Sequence, residues 1–374
     1  GSLGASGDLA PLAHMVLPML GLGDAEYQGT VMPGKEAMER AGIPIIHLEA
    51  KEGLALINGT PILTAMGVFA LWEGMSLLKQ SDIAAALSIE AQRGIIDAFD
   101  ERLHVIRPHR GQLDTAYNLR NLLSGSTYVT HQGQLKVQDA YCLRCVPQIH
   151  GASKGALGFV KDKVDIEINA ATDNPIVLPD GDVISGGNFH GEPMALPFDF
   201  LGIGISEIAN VSERRLERLI NNSLSGFPSF LVKHSGLNSG FMITQYAAAA
   251  LVSENKVLAH PASVDSIPSC ENQEDLVSMG AHAARKAGEI AFNARRVVAT
   301  EILAACQAID LREGEGFKLG AGTQAAYDAV RKSNDFIAYD KDIEMFKELE
   351  KITNLVQEGG ILDAVEDKVD LKFF

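Results

Sequence analysis

The tripeptide Ala5-Ser6-Gly7 could become a reactive group without help from a bound molecule. The amide nitrogen of Gly7 can attack the carbonyl carbon of Ala5, and the small neighbours of Ser6 leave room for the strained loop that this attack needs. Loss of two waters, one of them from Ser6, would give a five-membered ring with an exocyclic methylene. That methylene is a strong electrophile, which unmodified side chains do not supply. The alternative interpretation is an ordinary glycine-rich turn before a helix.

Two common phosphate-binding loops do not fit this region. The glycines fall at positions 1, 4 and 7, which is not the dinucleotide-binding pattern G-x-G-x-x-G. No Lys-Ser or Lys-Thr pair follows, as a P-loop requires. The surrounding residues therefore leave the ring-forming chemistry and the plain turn as the two interpretations.

The composition predicts a large core and excludes several partners. The chain has 374 residues, of which 46% are hydrophobic and 21% are charged, and this is enough for one large domain or two. The net charge of −16, with no basic stripe, makes nucleic acid and anionic membrane surfaces unexpected partners. The apolar run from Pro61 to Trp72 ends at Glu73 and is too short to span a membrane.

The cysteines predict neither a disulfide framework nor a metal site. There are four of them, and they are scattered, which suits a reducing cytoplasm. Cys142 and Cys145 form a lone C-x-x-C with no second pair, so a zinc site is not expected.

Apolar residues at helical spacing predict a mainly α protein built around long bundle helices. The predicted long helices cover residues 62–92, 193–224, 240–258 and 275–309, and an amphipathic peripheral helix covers 344–357. Short strands are expected near 29–32 and 176–184, and residues 361–374 are expected to form a flexible or docking tail.

Several polar segments between these helices carry residues suited to chemistry. They read A-K-E-G-L-A-L-I-N-G-T at 50–60, V-Q-D-A-Y-C-L-R at 137–144, S-G-G-N-F-H-G-E-P at 185–193 and N-Q-E-D at 272–275. Together with Ala5-Ser6-Gly7 they resemble the signature blocks of the histidine and aromatic amino-acid ammonia-lyases, most closely the histidine-specific members. The resemblance runs from Gly1 to about Arg312 and weakens after that.

The resemblance implies a long-helix bundle of the ammonia-lyase and fumarase-like type, with short peripheral strands and loops. It also implies a methylidene-imidazolone (MIO) formed autocatalytically from Ala5, Ser6 and Gly7, with no metal or diffusible cofactor. Residues 1–312 would hold the MIO loop and the catalytic bundle, and 313–374 would form peripheral helices. An N-terminal part of the enzyme would be absent from this chain. The assembly would be a cytoplasmic homotetramer with active sites shared between subunits.

The resemblance assigns substrate-binding roles on either side of the ring. Asn58 would lie near the ring and the substrate amine, and Phe189 would pack beside the ring. Glu274 would contact the substrate amine or imidazole, and an acidic partner suits a basic imidazole better than a phenyl ring. The plain interpretations are a turn at Asn58 and a solvated helix N-terminus at Glu274.

The segment at 137–144 would hold the other end of the substrate. Arg144 would bind the substrate carboxylate, since a planar guanidinium gives a bidentate grip that lysine cannot reproduce. Tyr141, counted among the catalytic residues, stands three residues earlier, so on a helix both would face the same site. Gln138 would line that site as well. The plain interpretations are a surface ion pair for Arg144 and a half-buried core aromatic for Tyr141.

The implied reaction is elimination of ammonia from L-histidine to give trans-urocanate. The substrate amine would add to the methylene derived from Ser6, Arg144 would orient the substrate, and a base would remove a β-proton. Leu276 departs from the pattern, because histidine-specific members usually have a histidine there. The family's tyrosine base and its ring-selecting histidine are expected upstream of the triad, outside this chain.

Two alternative functions remain open on the sequence. One is another MIO enzyme, either a tyrosine or phenylalanine ammonia-lyase or a 2,3-aminomutase. The other is a non-catalytic helical assembly module. A fumarase-type lyase is disfavoured, because the chain lacks the loop G-S-S-x-M-P-x-K-x-N.

Overall fold

Helices dominate the computed structural model, which describes residues 1–312, 314–337 and 339–373. In chain order the helices are α1 (Ala10–Val16), α2 (Gly34–Ala41), α3 (Glu52–Ala55), α4 (Pro61–Ala91), α5 (Glu101–Val105), α6 (Arg110–Leu122), α7 (Tyr141–Arg144), α8 (Val146–Glu167), α9 (Glu192–Ile220), α10 (Asn222–Ser225), α11 (Met242–Leu258), α12 (Gly280–Asp310), α13 (Ala321–Ser333), α14 (Met345–Gln357) and α15 (Gly360–Glu366). The predicted mainly α fold is confirmed.

The chain divides into two compact units. The first consists of Gly1–Ala70, Val160–Phe200 and His260–Gly288. The second consists of Leu71–Phe159, Leu201–Ala259 and the described residues from Glu289 onward. The functional division of the chain at residue 312 stays a prediction.

Two short antiparallel hairpins and four short 3-10 helices accompany these α-helices in the described residues. Strand β1 (Asp24–Tyr27) pairs with β2 (Thr30–Pro33), and β3 (Ile176–Val177) pairs with β4 (Val183–Ile184). Between β1 and β2, Gln28 and Gly29 have φ of 51° and 78°, as a two-residue hairpin turn requires. The strands expected near 29–32 and 176–184 are therefore present.

The predicted long helices are present, with one shifted start. The segment predicted from residue 275 becomes helical only at Gly280. Met279 has φ of 56°, which a helix does not accommodate, and the Ser278 hydroxyl accepts a hydrogen bond from the Gly280 amide at 3.2 Å. Ser278 therefore ends the loop and caps the helix, and leaves residues 275–278 extended.

The C-terminal tail is docked rather than flexible. It contains α15, whose Ile361 and Val365 are buried, and Leu371 is buried further along. Lys79 of α4 pairs with Glu366 at 2.6 Å. Of the predicted tail, Phe374 lies outside the described residues.

Helix α4 occupies the segment predicted over 62–92 and runs unbroken from Pro61 to Ala91. Glu73, at which the apolar run ends, lies within this helix and pairs with Arg295. By length and composition alone, α4 and α9 could each cross a membrane. In the most apolar window of α9, 67% of the residues are buried inside the protein, as in the core helices of soluble proteins.

In the first unit, α4 and α9 approach closely because one of them lacks a side chain at the contact. A Cβ placed on Gly67 would overlap the ring of Phe198. Phe198 is fully buried, so any side chain at position 67 would displace it.

The second unit contains a group of buried charges that pair with one another. Asp82 accepts hydrogen bonds from the ring of His150 at 2.7 Å and from Lys154 at 2.6 Å. Burial opposes its charge, but Lys154 and His150 outweigh burial and hold the pKa of Asp82 below its usual value. All three side chains are fully buried, so removing either partner would strand a charge in the core.

A second buried pair lies beside the first. Arg215 binds Glu301 through two hydrogen bonds, of 2.5 and 2.9 Å. The hydroxyls of Ser88 and Ser212 donate to the same carboxylate. The Arg215 guanidinium also lies 3.4 Å from the ring of His150, so the two ion pairs form one network across four helices.

Glu90, near the end of α4, is a buried carboxyl whose hydrogen-bond partners are neutral groups. It accepts a hydrogen bond from the Gly320 amide at 2.8 Å, where the chain enters α13. Burial raises the pKa of Glu90 to about 7, although hydrogen bonds from Ser126, Thr323 and Gly320 oppose the rise.

We expect this carboxyl to make stability depend on pH. In the unfolded chain Glu90 ionises near pH 4.5, whereas in the folded protein it keeps its proton until about pH 7. The contribution of the protonated Glu90 carboxyl to the free energy of unfolding is therefore fully present below pH 4.5 and is lost as the pH rises through 7. We compare the free energy of unfolding of Glu90→Gln with that of the wild type at two pH values. Between pH 4.5 and pH 8 this difference should shift in favour of Glu90→Gln by about 2–3 kcal/mol. Denaturant unfolding at both pH values measures this, and a difference that does not change with pH would contradict it.

Candidate active site

The reactive tripeptide sits in a tight turn. Gly4 pairs with Gly7 in an antiparallel bridge, which leaves Ala5 and Ser6 at the tip. Ser6 has φ of 52°, flanked by φ of 94° at Gly4 and 85° at Gly7. A left-handed backbone is uncommon for a residue with a side chain, and such strain is concentrated at functional sites. The turn therefore presents the Ser6 side chain in a conformation that local preference alone would not give.

The strand-like segment before α4 holds this turn in place. The Gly59 amide donates to the Ser6 carbonyl at 3.2 Å, and the Asp8 amide donates to the Gly59 carbonyl at 2.7 Å. A Cβ placed on Gly7 would overlap the Gly59 carbonyl oxygen. Glycine at position 7 is thus required both by its positive φ and by this backbone contact.

Asp8 ties the turn to the first turn of α4. Its carboxylate accepts from the Leu63 amide at 2.9 Å and from the Ser2 hydroxyl at 2.7 Å. Burial raises the pKa of Asp8, and these hydrogen bonds partly offset the rise. Asp8 thereby satisfies a free amide at the start of α4 and fixes the residue that follows the tripeptide.

Glu274 lies directly against the turn. Its Oε1 accepts a hydrogen bond from the Ser6 hydroxyl at 3.2 Å, and its Oε2 accepts one from Ser269 at 2.8 Å. The loop that presents it is strained, since the three residues Cys270, Glu271 and Asn272 have φ of 48°, 56° and 67°. Two residues far apart in sequence, and both predicted for the site, are therefore in contact.

Asn58 is 5% exposed and carries an unsatisfied acceptor. Its amide nitrogen donates to Asp173 at 3.1 Å and to the Asn174 carbonyl at 3.2 Å. Its Oδ1 has no hydrogen-bond partner among the described residues. Such an orphan usually marks a place where a ligand or a water binds. Asn58 adjoins Gly59, so this oxygen belongs to the segment that holds the turn.

A partly exposed ion pair fixes the orientation of Asn58. Lys51 binds Asp173 at 2.6 Å, on the carboxylate oxygen that Asn58 does not use. Burial opposes the charge of Asp173, but hydrogen bonds from Lys51 and Asn58 outweigh it and lower its pKa. The carboxylate therefore stays ionised and holds the Asn58 amide nitrogen. As a result Asn58 Oδ1 points away from Asp173.

Phe189 is half-buried in the loop before α9. The next residue, His190, has its ring Nε2 at 3.1 Å from the Leu276 carbonyl, two residues after Glu274. This contact attaches the Phe189 loop to the Glu274 segment. Leu276 itself is 63% exposed, so its side chain fills no part of the core.

The remaining predicted residues lie in the second unit. Tyr141 and Arg144 share the single turn of α7, as their spacing predicts, and the Arg144 guanidinium lies 4.8 Å from the centre of the Tyr141 ring. Tyr141 is 69% exposed. Gln138 and Arg144 line one cavity of about 290 Å³.

The buried ion network contacts the backbone of α7. Arg215 donates to the Cys142 carbonyl at 3.5 Å while it binds Glu301. Sequence reasoning missed Arg215, because a charged residue in an amphipathic helix is normally exposed. It also missed Ser269 and the pair Lys51–Asp173. For that pair the only sequence signal is that Lys51 lies within the 50–60 block that carries Asn58, and that Asp173 lies in a polar loop.

Comparisons with known proteins agree on one family. The model of the family described as "Aromatic amino acid lyase" matches residues 1–332. A histidine ammonia-lyase of Clostridium tetani is 72% identical over 372 residues, which is 100% of this chain and 72% of the relative. The match to this relative extends beyond Arg312 to the C-terminal helices, whereas the family model ends at residue 332.

Solved structures give the same result. The crystal structure of histidine ammonia-lyase from Trypanosoma cruzi has a TM-score of 0.90 and 42% identity, and the match covers 98% of this chain and 69% of that one. A tyrosine aminomutase from Streptomyces globisporus has a TM-score of 0.94 and 36% identity, with 100% and 74% covered.

We expect Gly7→Ala to destabilise the protein more than the same change at a glycine without close neighbours. Gly133 is the matched control, because its φ is 84° and nothing lies within 4 Å of its Cβ position. Both changes should lower the free energy of unfolding by about 1–2 kcal/mol, because alanine disfavours the left-handed conformation. Gly7→Ala should lower it by about 1–3 kcal/mol more, because its Cβ overlaps Gly59. Denaturant unfolding of the two variants measures the difference, and equal losses would contradict the role of this contact.

Proposed function

Because the chain belongs to the aromatic amino acid lyase family, we propose that it is a carbon–nitrogen lyase that eliminates ammonia from L-histidine and releases trans-urocanate. The observation that carries the proposal is the Ser6 hydroxyl, which is held in a strained turn and hydrogen-bonded to Glu274. The identity of 72% to a histidine ammonia-lyase supports histidine as the substrate, against 36% to a tyrosine aminomutase.

We propose further that Ala5, Ser6 and Gly7 close into the MIO group. The residues fit it, because the turn at Gly4–Gly7 brings the tripeptide into a compact loop and the orphan Asn58 Oδ1 offers a buried acceptor beside it. When formed, the ring supplies an electrophilic methylene that makes the substrate amine a better leaving group. No metal or diffusible cofactor enters this chemistry.

Glu274 has two roles in this proposal. Its carboxylate accepts a hydrogen bond from the Ser6 hydroxyl and so holds that side chain in place before the ring forms. It is then an acceptor for an N–H group of the substrate, and a carboxylate favours a basic imidazole. The hydrogen bond from Ser269 keeps the other carboxylate oxygen fixed.

Asn58 and Phe189 complete the proposed surroundings of the ring. Asn58 would turn its free oxygen toward the substrate amine, since Asp173 and Asn174 occupy its nitrogen. Phe189 would provide an apolar wall beside the ring.

Arg144 would bind the substrate carboxylate, with Tyr141 and Gln138 beside it. The contact between the Arg144 guanidinium and the Tyr141 ring fixes the plane of the guanidinium. A fixed plane presents two parallel N–H groups to a carboxylate and so restrains the Cα–Cβ bond. Tyr141, which is largely exposed, would take part in the catalytic site.

The resemblance to the family supports an assembly as well as an activity. We propose a homotetramer in which each active site takes residues from more than one subunit, and we propose that it works in the cytoplasm. The acidic net charge of −16 supports a small-molecule substrate rather than nucleic acid or a membrane surface as the partner.

The test is to supply the full gene product with L-histidine and to follow urocanate by its ultraviolet absorbance, with ammonia measured in parallel. We expect both products in equal amounts. Release of cinnamate or coumarate from L-phenylalanine or L-tyrosine, without urocanate, would instead assign the protein to another MIO activity. A β-amino acid as the product would assign an aminomutase.

Ser6→Ala should abolish urocanate release, because the variant cannot form the methylene. Ser223→Ala is the control, since Ser223 is an exposed serine outside the proposed site. We expect the control to keep wild-type turnover. Full turnover in Ser6→Ala would show that the reaction does not use this group.

Arg144→Ala should lower kcat/KM for L-histidine about ten- to a hundredfold, the effect of losing one or two charge-assisted hydrogen bonds. Arg144→Lys should not restore it, because an ammonium lacks the fork geometry. Arg40→Ala, at an exposed arginine of α2, serves as the control. Unchanged kinetics in Arg144→Ala would contradict the assigned role.

A further inference from the structure

The cavity that contains Arg144 is also lined by Gln148, a polar residue that takes no part in the function proposed above. Gln148, in the first turn of α8, lines the same space of about 290 Å³ as Gln138 and Arg144. The rest of the lining is partly apolar and includes Ile95, Leu103 and Val137. A cavity with a few polar groups on an apolar background is the usual form of a small-molecule site, and this one is at the small end of the range.

Gln148 and Arg144 both carry buried polar atoms without partners. The Oε1 of Gln148 and the Nε of Arg144 make no hydrogen bond to the part of the chain that the structure describes. Each orphan of this kind costs about 1–3 kcal/mol when nothing binds it. One orphan is an acceptor and the other a donor, and they line the same cavity, so a ligand that presents both a donor and an acceptor would satisfy them together.

The carboxylates of the cavity are already engaged. Asp97 accepts hydrogen bonds from the His131 ring and from the Gln132 amide, both at 2.7 Å. Asp139 accepts from the Ile95 amide at 2.6 Å and pairs with Lys136 at 2.5 Å. Both carboxylates therefore already have partners, whereas the Gln148 amide oxygen is a buried, uncharged acceptor without one.

The spacing of Gln148 and Arg144 matches the two charged groups of an amino acid. Gln148 follows Arg144 by four residues, and the Gln148 and Ile149 amides both donate to the Cys145 carbonyl, which joins the end of α7 to the first turn of α8. An amino acid carries its carboxylate and its ammonium on one carbon. A guanidinium binds the first, and an amide oxygen accepts from the second.

A neutral amide is also the suitable partner for an amine that must react. A carboxylate beside the ammonium would stabilise its charge and raise its pKa, whereas an amide oxygen does so far less. The amine therefore loses its proton more easily beside Gln148 than it would beside an acid, while it stays oriented.

We propose that Gln148 is a further substrate-binding residue, whose side-chain oxygen accepts a hydrogen bond from the substrate's amino group while Arg144 holds its carboxylate. This inference rests on the proposed function. It adds the recognition of the amino group within the Arg144 cavity.

The test compares two ligands that differ only in the amino group. L-Histidine has it, and 3-(imidazol-4-yl)propanoate does not. In Gln148→Ala we expect the KM for L-histidine to rise about tenfold, the effect of one charge-assisted hydrogen bond. The Kd of the propanoate should change less than twofold. Gln324→Ala, at an exposed glutamine of α13, is the control and should change neither.

Gln148→Glu gives a second readout that a merely structural role would not produce. The new carboxylate should raise the pKa of the bound ammonium, so the acidic limb of the kcat profile, which reports groups in the enzyme–substrate complex, should move to higher pH. An unshifted limb would overturn the inference.

Equal weakening of both ligands in Gln148→Ala would overturn the inference, because Gln148 would then act on Arg144 or on the fold. No weakening of either ligand would overturn it too. Failure of the proposed function is a separate result, namely that the wild-type protein releases no urocanate from L-histidine.

Discussion

The backbone pairing between Gly7 and Gly59 is the constraint on which the reactive turn depends. It fixes Ser6 in a left-handed conformation, excludes any side chain at position 7 and joins the turn to the segment that carries Asn58. Glu274 reaches Ser6 only because its own loop passes through three left-handed residues. Two strained segments thus meet at one hydroxyl, which is the expected arrangement where backbone strain serves a function.

A different device supports the residues of the second unit. Arg144 lies on a helix of one turn, which could not be stable by itself. The Arg215–Glu301 pair reaches the backbone of that turn at Cys142 and is itself continuous with the Asp82 network. Buried pairs of this kind add little net stability, but they fix geometry, since every partner is needed to satisfy the others.

The sequence predicted the elements that periodicity and motif residues determine. The long helices α4, α9 and α12 follow from apolar spacing, and the shared turn of Tyr141 and Arg144 follows from their separation. The late start of α12 could not be predicted, because it depends on a left-handed Met279 and a cap from Ser278. The buried network, the free oxygen of Asn58 and the role open to Gln148 depend on contacts between distant segments, which a single sequence does not encode in any local pattern.

The central claim is that the Gly4–Gly7 turn is built to close into a ring, and peptide mass tests it most directly. The peptide that contains Ser6 should be isolated from the native protein under conditions that preserve the modification. The account predicts a mass lower than the encoded sequence by two waters, and the encoded mass for the same peptide from Ser6→Ala. An unmodified mass from active native protein would contradict it.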